Sequence, residues 1–402
     1  MDRQRNATAT SMLRALIAEG PLGRKEVAAA TGTSFTTITK LVGELLDLGA
    51  LEEISATAPR RSAGRPTIPL DVPRLGRVLV GGHLHPERTS CGAYTVRGER
   101  LLYRSLPTVA RTSQERIAEV AQLVREVVDE VGADSVVGVG VSKPWDEFWS
   151  GPRPQQVVDV DHADLHDGLA AHIGLPVRVD SNVRALALAQ HWWGGYTGNV
   201  LSILVGRSVR LAQMRGDELT LEGPAGGGVV SHLVVPGSTV SCNCGQTGCV
   251  RVTCTDDALL TQAVEAGLLP SDALQSDLYP TAAEDSAGLA ALRRERADAL
   301  GRFVPLLIAL LQPDQTVISG PLGTQDEIRA CLDLIRRRHA ELTGHAAQVH
   351  RHSNFGPEDW PRACAALMLD SYLAAPLTFE HARRSAGGRQ GWTGVAPSPH
   401  QV

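Results

Sequence analysis

Three cysteines fall within eight residues, Cys242-Asn243-Cys244-Gly245-Gln246-Thr247-Gly248-Cys249, and His232 lies ten residues upstream. Three thiols and an imidazole are the ligand set of a closed, tetrahedral zinc site. Thiolates argue against magnesium or calcium. Gly245 and Gly248 let the backbone fold back so that the sulfurs can face one centre. His232, Cys242, Cys244 and Cys249 therefore predict one structural zinc ion per chain, the plain alternative being free core cysteines. Seven cysteines make an odd number, which in a reducing compartment suggests metal more than disulfides. Cys254 is the spare of the cluster, and Cys91, Cys331 and Cys364 read as ordinary buried residues.

A second chemistry-bearing stretch lies near the N-terminus. Met12, Leu13, Leu16 and Ile17 share one helical face before Gly20-Pro21. Arg24–Ala30 reads as a short second helix, Thr31-Gly32-Thr33 as a tight turn, and Ser34 as the N-cap of a third helix over Phe35–Leu48. Three helices with a glycine turn between the last two predict a helix-turn-helix, whose last helix enters the major groove. Ser34, Phe35, Thr36, Thr37, Thr39 and Lys40 are the candidate DNA-contacting residues there, since hydroxyls and a cation suit base edges and phosphates. A helical hairpin for protein contacts is the bland alternative. Leu51–Ser55 and Thr67–Val72 read as the two strands of a wing. The loop between them carries Arg60, Arg61 and Gly64-Arg65-Pro66, an extended Gly-Arg-Pro suited to a narrow, A·T-rich minor groove. A solvated basic loop is the alternative.

The elements that must position these residues follow from length and pattern. At 402 residues the chain is long enough for at least two domains. Composition is that of a globular protein, with 43% hydrophobic and 21% charged residues. Residues 1–77 carry eleven Lys/Arg against eight Asp/Glu, a charge of +3 within a chain of −5 overall. A basic head on an acidic body fits nucleic acid at the head. The longest apolar run, Phe303 to Leu311, is far short of a membrane span. The N-terminus has no secretory pattern, so a cytoplasmic protein is expected. Beyond residue 77, strands at 78–82, 90–96, 101–105, 136–141, 177–180, 201–206 and 316–319 alternate with helices at 114–132, 182–193 and 289–311, which predicts an α/β body.

Taken together, the chain resembles the ROK family of sugar-responsive repressors and sugar kinases. The resemblance rests on GRKEVAAATGTSFTTITKLVGELLDLGALEE and AGRPTIPL in the head, and on VVGVGVSKP, LPVRVDSNVRALALAQHWWG, GPAGGGVVSH, CNCGQTGC and LLQPDQTVISG in the body, over residues 8 to 375. It implies a winged helix-turn-helix at 1–73, then a two-lobed ribonuclease-H-like, actin-like sugar-kinase fold at 74–379 with the zinc loop. The tail 380–402 is expected to be disordered, and 69–77 is expected to be the only covalent link between head and body.

The same resemblance implies that kinase chemistry is missing. The family's aspartate base falls on Asn182, an amide that cannot take a proton. Asp180 is a displaced substitute. The first phosphate motif falls on Gly82–Pro86 and the second on Gly206–Arg210, where arginines replace glycines that would approach phosphate. Two sugar-holding glutamates become Val229 and Arg251. Asn182, His232 and Arg251 remain as a degenerate ligand site, better suited to an acidic, phosphorylated or partly apolar ligand than to a neutral hexose. The expectation is thus a regulator without enzymatic activity, bound as a homodimer or tetramer to a double-stranded operator and responsive to a small-molecule effector. A regulator controlled by a protein partner and a sugar kinase with an added head are the rivals.

Overall fold

The computed structural model describes residues 2–54, 68–85, 88–143, 160–221, 228–280, 285–351 and 358–386. They fall into two compact units, one within 1–144, 156–193 and 357–402, the other within 145–155 and 194–356.

In the first unit, α1 (Asp2–Glu19) buries Met12, Leu13 and Leu16, the stripe expected from their spacing. Next come α2 (Arg24–Thr31) and α3 (Phe35–Asp47). Gly32 links them with φ +62°, a left-handed conformation that glycine adopts without strain. Ser34 caps α3, its hydroxyl accepting from the Thr37 amide. Ile38, Leu41, Val42 and Leu45 are the buried stripe of α3. Two short strands, β1 (Glu52–Glu53) and β2 (Leu70–Asp71), pair antiparallel.

A five-stranded sheet follows: β3 (Val78–His85), β4 (Arg88–Thr95) and β5 (Arg100–Pro107), then α4 (Ser113–Val131), β6 (Val136–Lys143), α5 (His162–Ile173), β7 (Val177–Ser181) and α6 (Asn182–Trp193). Its order is β5-β4-β3-β6-β7, the first three antiparallel and β6 and β7 parallel to β3.

The second unit repeats that order. Its strands are β8 (Asn199–Val205), β9 (Val209–Arg215) and β10 (Glu218–Leu219), and its next helices are α7 (Gly228–Ser231), α8 (Val250–Thr253), α9 (Asp256–Glu265) and α10 (Ala287–Leu311). They are followed by β11 (Gln315–Ser319), α11 (Gln325–Thr343) and β12 (Val349–Arg351). The sheet order is β10-β9-β8-β11-β12, again with an antiparallel half and a parallel half. The chain is an α/β protein with a duplicated sheet topology.

It then returns to the first unit through α12 (Asp359–Ala374) and α13 (Pro376–Ala386). α12 lies so close to the first sheet that a Cβ on Gly81 would stand 1.7 Å from the Pro361 carbonyl oxygen, and one on Gly140 would stand 1.9 Å from that of Cys364. Only glycine fits at those two strand positions.

Two sequence expectations need correction here. The segment from Glu380 was expected to be disordered, yet α13 runs to Ala386. Glu380 is buried there, and Leu377 and Phe379, in the same helix just before it, are buried too, so the helix that starts in the body continues into the charged segment. The division at residue 73 also does not separate two cores. Ala9, Met12, Leu16, Ile38 and Leu45 of the head share one hydrophobic cluster with Leu79, Tyr94, Val137, Met368, Tyr372 and Phe379.

Polar contacts join the same parts. Arg77 donates to both Glu380 oxygens at 2.6 and 2.7 Å and to the Leu48 carbonyl, at the C-terminus of α3, at 2.7 Å. Tyr372 donates to Glu380 Oε1 at 2.8 Å. Arg97 donates to the Leu16 carbonyl and to Asp71 at 2.7 and 2.5 Å. Asn6 pairs with Thr378 and with the Leu377 amide at 3.2 and 3.0 Å.

Burial works against the Arg77 charge, but the Glu380 carboxylate outweighs it and holds the guanidinium above its ordinary pKa. Glu380→Gln removes the charge from a partner that stays buried, a loss on the order of 3–5 kcal/mol. The expected result is a clearly lowered melting temperature for the first unit in calorimetry. An unchanged melting profile would show that the pair carries no such weight.

Candidate nucleic-acid interface and metal centre

The outward face of α3 is made by its own sequence. With Ile38, Leu41, Val42 and Leu45 turned into the core, Phe35, Thr36, Thr37, Thr39 and Lys40 are left exposed, as is the cap Ser34. Glu44, on the same helix, is occupied by Arg5 and by His381 at 3.1 Å. Lys40 and Thr36 have no hydrogen-bond or ionic partner among the described residues, so their polar groups are available to an incoming surface. Arg60, Arg61, Gly64, Arg65 and Pro66 lie outside the described residues.

In the second unit, His232 and the three cysteines of the loop converge. One nitrogen or sulfur from each of His232, Cys242, Cys244 and Cys249 lies within 4.8 Å of the others. Cys244 Sγ and Cys249 Sγ are 3.6 Å apart, and Cys242 Sγ is 3.8 Å from His232 Nδ1. A tetrahedron with zinc–sulfur bonds of about 2.3 Å has edges of about 3.8 Å, so the donors fit the ion.

The loop is built to hold that shape. Gly245 and Gly248 have φ of +89° and +80°. Backbone bonds run from the Cys242 amide to Gln246 O (2.8 Å), the Gly248 amide to Val240 O (2.7 Å) and the Val250 amide to Leu233 O (2.9 Å). Burial pushes the Cys249 thiol up to about 12; a coordinated cation reverses that preference, because the ligand is the thiolate. Cys254 is buried outside the cluster, as are Cys91, Cys331 and Cys364.

The positions expected from the family resemblance to carry phosphoryl transfer have side-chain partners within the protein. In the first unit, His83 is buried, with Nδ1 2.9 Å from Ser142 Oγ, and its ring stacks on Trp360 at 4.7 Å. Ser142 Oγ in turn lies 3.0 Å from Cys364 Sγ. Asp180, the displaced candidate base, accepts from Arg184 at 2.8 Å and from the Ser181 amide at 2.7 Å. Asn182 begins α6, and its Oδ1 is buried without a hydrogen-bond partner among the described residues.

In the second unit, Arg207 and Asp257 form an ion pair at 3.5 Å. The Gly206 carbonyl accepts from the Asp256 amide at 2.7 Å, and Arg210 is buried against Ser208 at 2.9 Å. The second expected phosphate loop thus closes on its own side chains. Of the expected ligand set, Asn182 lies in the first unit and His232 and Arg251 in the second.

Residues 83–350 match the ROK family model. The chain belongs to the ROK family. A transcriptional regulator of Mycobacterium tuberculosis strain H37Rv is 28% identical over 343 residues, covering 80% of this chain and 76% of the relative. The DNA-binding transcriptional dual regulator NagC of Escherichia coli K12 is 20% identical over 344 residues, covering 82% of this chain and 84% of NagC. Among solved structures, a ROK family transcriptional regulator homologous to the E. coli MLC protein aligns with a TM-score of 0.74 at 18% identity, over 94% of this chain and 99% of that one. A ROK family glucokinase from Streptomyces griseus, with glucose and AMPPNP, aligns with a TM-score of 0.56 at 20% identity over 72% of this chain and 98% of its own. Both structural likenesses concern the fold.

Sequence spacing found the four metal-ligand candidates and the exposed face of α3. It missed the Arg77–Glu380–Tyr372 network and the His83–Trp360 stack, whose members are far apart in the chain; no local pattern signals either.

Two measurements follow from these sites. Elemental analysis of purified protein should find about one zinc per chain, and Cys244→Ser should lower both zinc content and melting temperature; well-folded wild type without zinc would end the assignment. Burial, then the neighbouring charge of His85, lowers the His83 pKa from its ordinary 6.5 to about 3. The unfolded chain therefore binds this proton below about 6.5 while the folded chain does not, so stability falls as pH drops through that window. His83→Gln should take up about one proton fewer on unfolding at pH 5; equal uptake would place a charged imidazole in the core.

Proposed function

We propose that this ROK chain is a DNA-binding transcriptional regulator whose kinase-like body performs no phosphoryl transfer. The observation that carries the reading is the three-helix head, with a left-handed glycine turn before α3 and an exposed Thr36–Lys40 face on that helix. A helix-turn-helix places such a face against base edges and phosphates. The names of the regulators similar to this chain over most of its length support the same reading. The wing, with Arg60, Arg61, Gly64, Arg65 and Pro66, adds minor-groove contact in this proposal.

The body serves as sensor and assembly module. A general base must accept the sugar hydroxyl's proton, and Asn182 cannot. Asp180 is held by arginines, and both expected phosphate loops are occupied by their own side chains. The buried Oδ1 of Asn182, without a partner among the described residues, supports a role as a contact for a small-molecule effector; His232 and Arg251 are separate candidates within the second unit. Zinc at His232, Cys242, Cys244 and Cys249 is structural, and the chain acts in the cytoplasm as a homodimer or tetramer on paired half-sites. No described helix is long and apolar enough to cross a membrane.

Lys40→Ala should weaken binding to all DNA sequences alike and reduce the salt slope of affinity by about one unit. An unchanged slope would remove Lys40 from the phosphate contacts. ATP turnover by the wild type with any member of a sugar panel would overturn the non-catalytic assignment.

A further inference from the structure

The chemistry that α3 offers outward is narrow. Ser34 and Thr37 spend their hydroxyls on each other at 2.8 Å and on the cap of the helix, and Thr39 donates to the Phe35 carbonyl at 2.8 Å. Three of the four hydroxyls at this end of the helix are therefore satisfied internally, which leaves methyl groups as what those threonines present. Phe35, the first helical residue, is 50% exposed although it is the largest apolar side chain on the helix. Among the described residues, Thr36 and Lys40 retain unpaired polar groups. The helix, FTTITKLVGELLD, contains no arginine, asparagine or glutamine.

Those absences matter because each base has its own reader in the major groove. Guanine is read by paired donors from arginine or lysine, of which this helix has only Lys40, and adenine by the amide of asparagine or glutamine, of which it has none. Thymine is distinguished by its 5-methyl group, which takes apolar contact from phenylalanine or from the threonine methyl. An exposed phenyl ring flanked by threonines suits the last case, and it costs surface hydrophobicity that solvent contact alone does not repay.

We propose that α3 reads thymine 5-methyl groups in the major groove, with Phe35 as the specificity-determining residue and Thr36 and Thr39 beside it. This rests on the DNA-binding reading above and adds which base the helix selects. Lys40 contributes the sequence-independent phosphate contact, so Phe35 and Lys40 have separable effects.

The test uses the full chain and a duplex selected by it from a random-sequence pool. Each thymine of the selected duplex is replaced in turn by uracil, which removes the methyl group and leaves base pairing unchanged. At one or two positions per half-site, affinity should fall about fourfold, the value of one buried methyl-sized group. Phe35→Ala should bind the thymine and uracil duplexes equally, and Phe35→Leu should keep part of the discrimination. Circular dichroism and melting of both variants confirm that the fold is retained. Unchanged affinity at every uracil position, or an equal loss for wild type and Phe35→Ala, would overturn the proposal while leaving DNA binding intact. A selection that enriches no sequence would instead remove the DNA-binding reading, and this inference with it. Phe35→Ala that binds DNA normally but alters the oligomeric state would assign the ring to a protein contact.

Discussion

A guanidinium and a carboxylate 303 positions apart meet inside the first unit, where Arg77 and Glu380 are both buried and share two hydrogen bonds. Much else in that unit depends on this pair. Arg77 also caps the end of α3 through the Leu48 carbonyl, and Glu380 also holds the Tyr372 hydroxyl, whose phenol is pushed far above its ordinary pKa by burial and by that carboxylate. One ion pair thus ties the last turn of α3, the start of β3, and helices α12 and α13. A buried pair contributes little net stability compared with apolar side chains of the same shape. Its effect is geometric: it places Glu380 of α13 and the last turn of α3 on the same guanidinium. The tie also changes how a signal could reach the head. Arg97 holding the Leu16 carbonyl and Asn6 holding α13 tie α1 to the rest of the unit outside the link at 69–77, whereas the tie to α3 runs through Arg77 of that link.

The positions expected to bind phosphate show the other consequence of burial. A phosphate loop works by leaving backbone amides unpaired and accessible until the anion arrives. At His83 and at Arg207–Arg210 the large polar side chains have found partners inside the fold, through Ser142 and Trp360 in one case and Asp257 and Ser208 in the other. In the proposed reading, these partners would have to be surrendered before a nucleotide could bind, and rebuilding a base at Asn182 alone would not restore that access. The fold retains the duplicated sheets of a kinase relative while its polar groups are committed to structure.

The sequence revealed what local chemistry encodes. The α1 stripe followed from 3.6-residue spacing, the start of α3 from Ser34, and the turn before it from Gly32, because each depends on residues within one or two helical turns. The cysteine loop was legible for the same reason: three ligands and two permissive glycines lie within eight residues. Strand positions were found, but several edges were short: β3 continues to His85, and β9, absent from the sequence reading, spans Val209–Arg215. The helical continuation from Glu380 escaped because that stretch is charged and polar, and Arg77, which holds Glu380, lies 303 positions away. Long-range packing of that kind leaves no periodic trace.

In the proposed function, this ROK chain acts by recognising DNA through α3. It is tested most directly by genome-wide mapping of bound sites in cells producing either the wild type or a Thr36→Ala, Lys40→Ala double variant at equal level. The account predicts discrete wild-type sites sharing a two-fold related sequence, with half-sites about ten base pairs apart or a multiple of that, and their loss in the variant. Absence of discrete wild-type sites, or sites that persist unchanged in the variant, would contradict it.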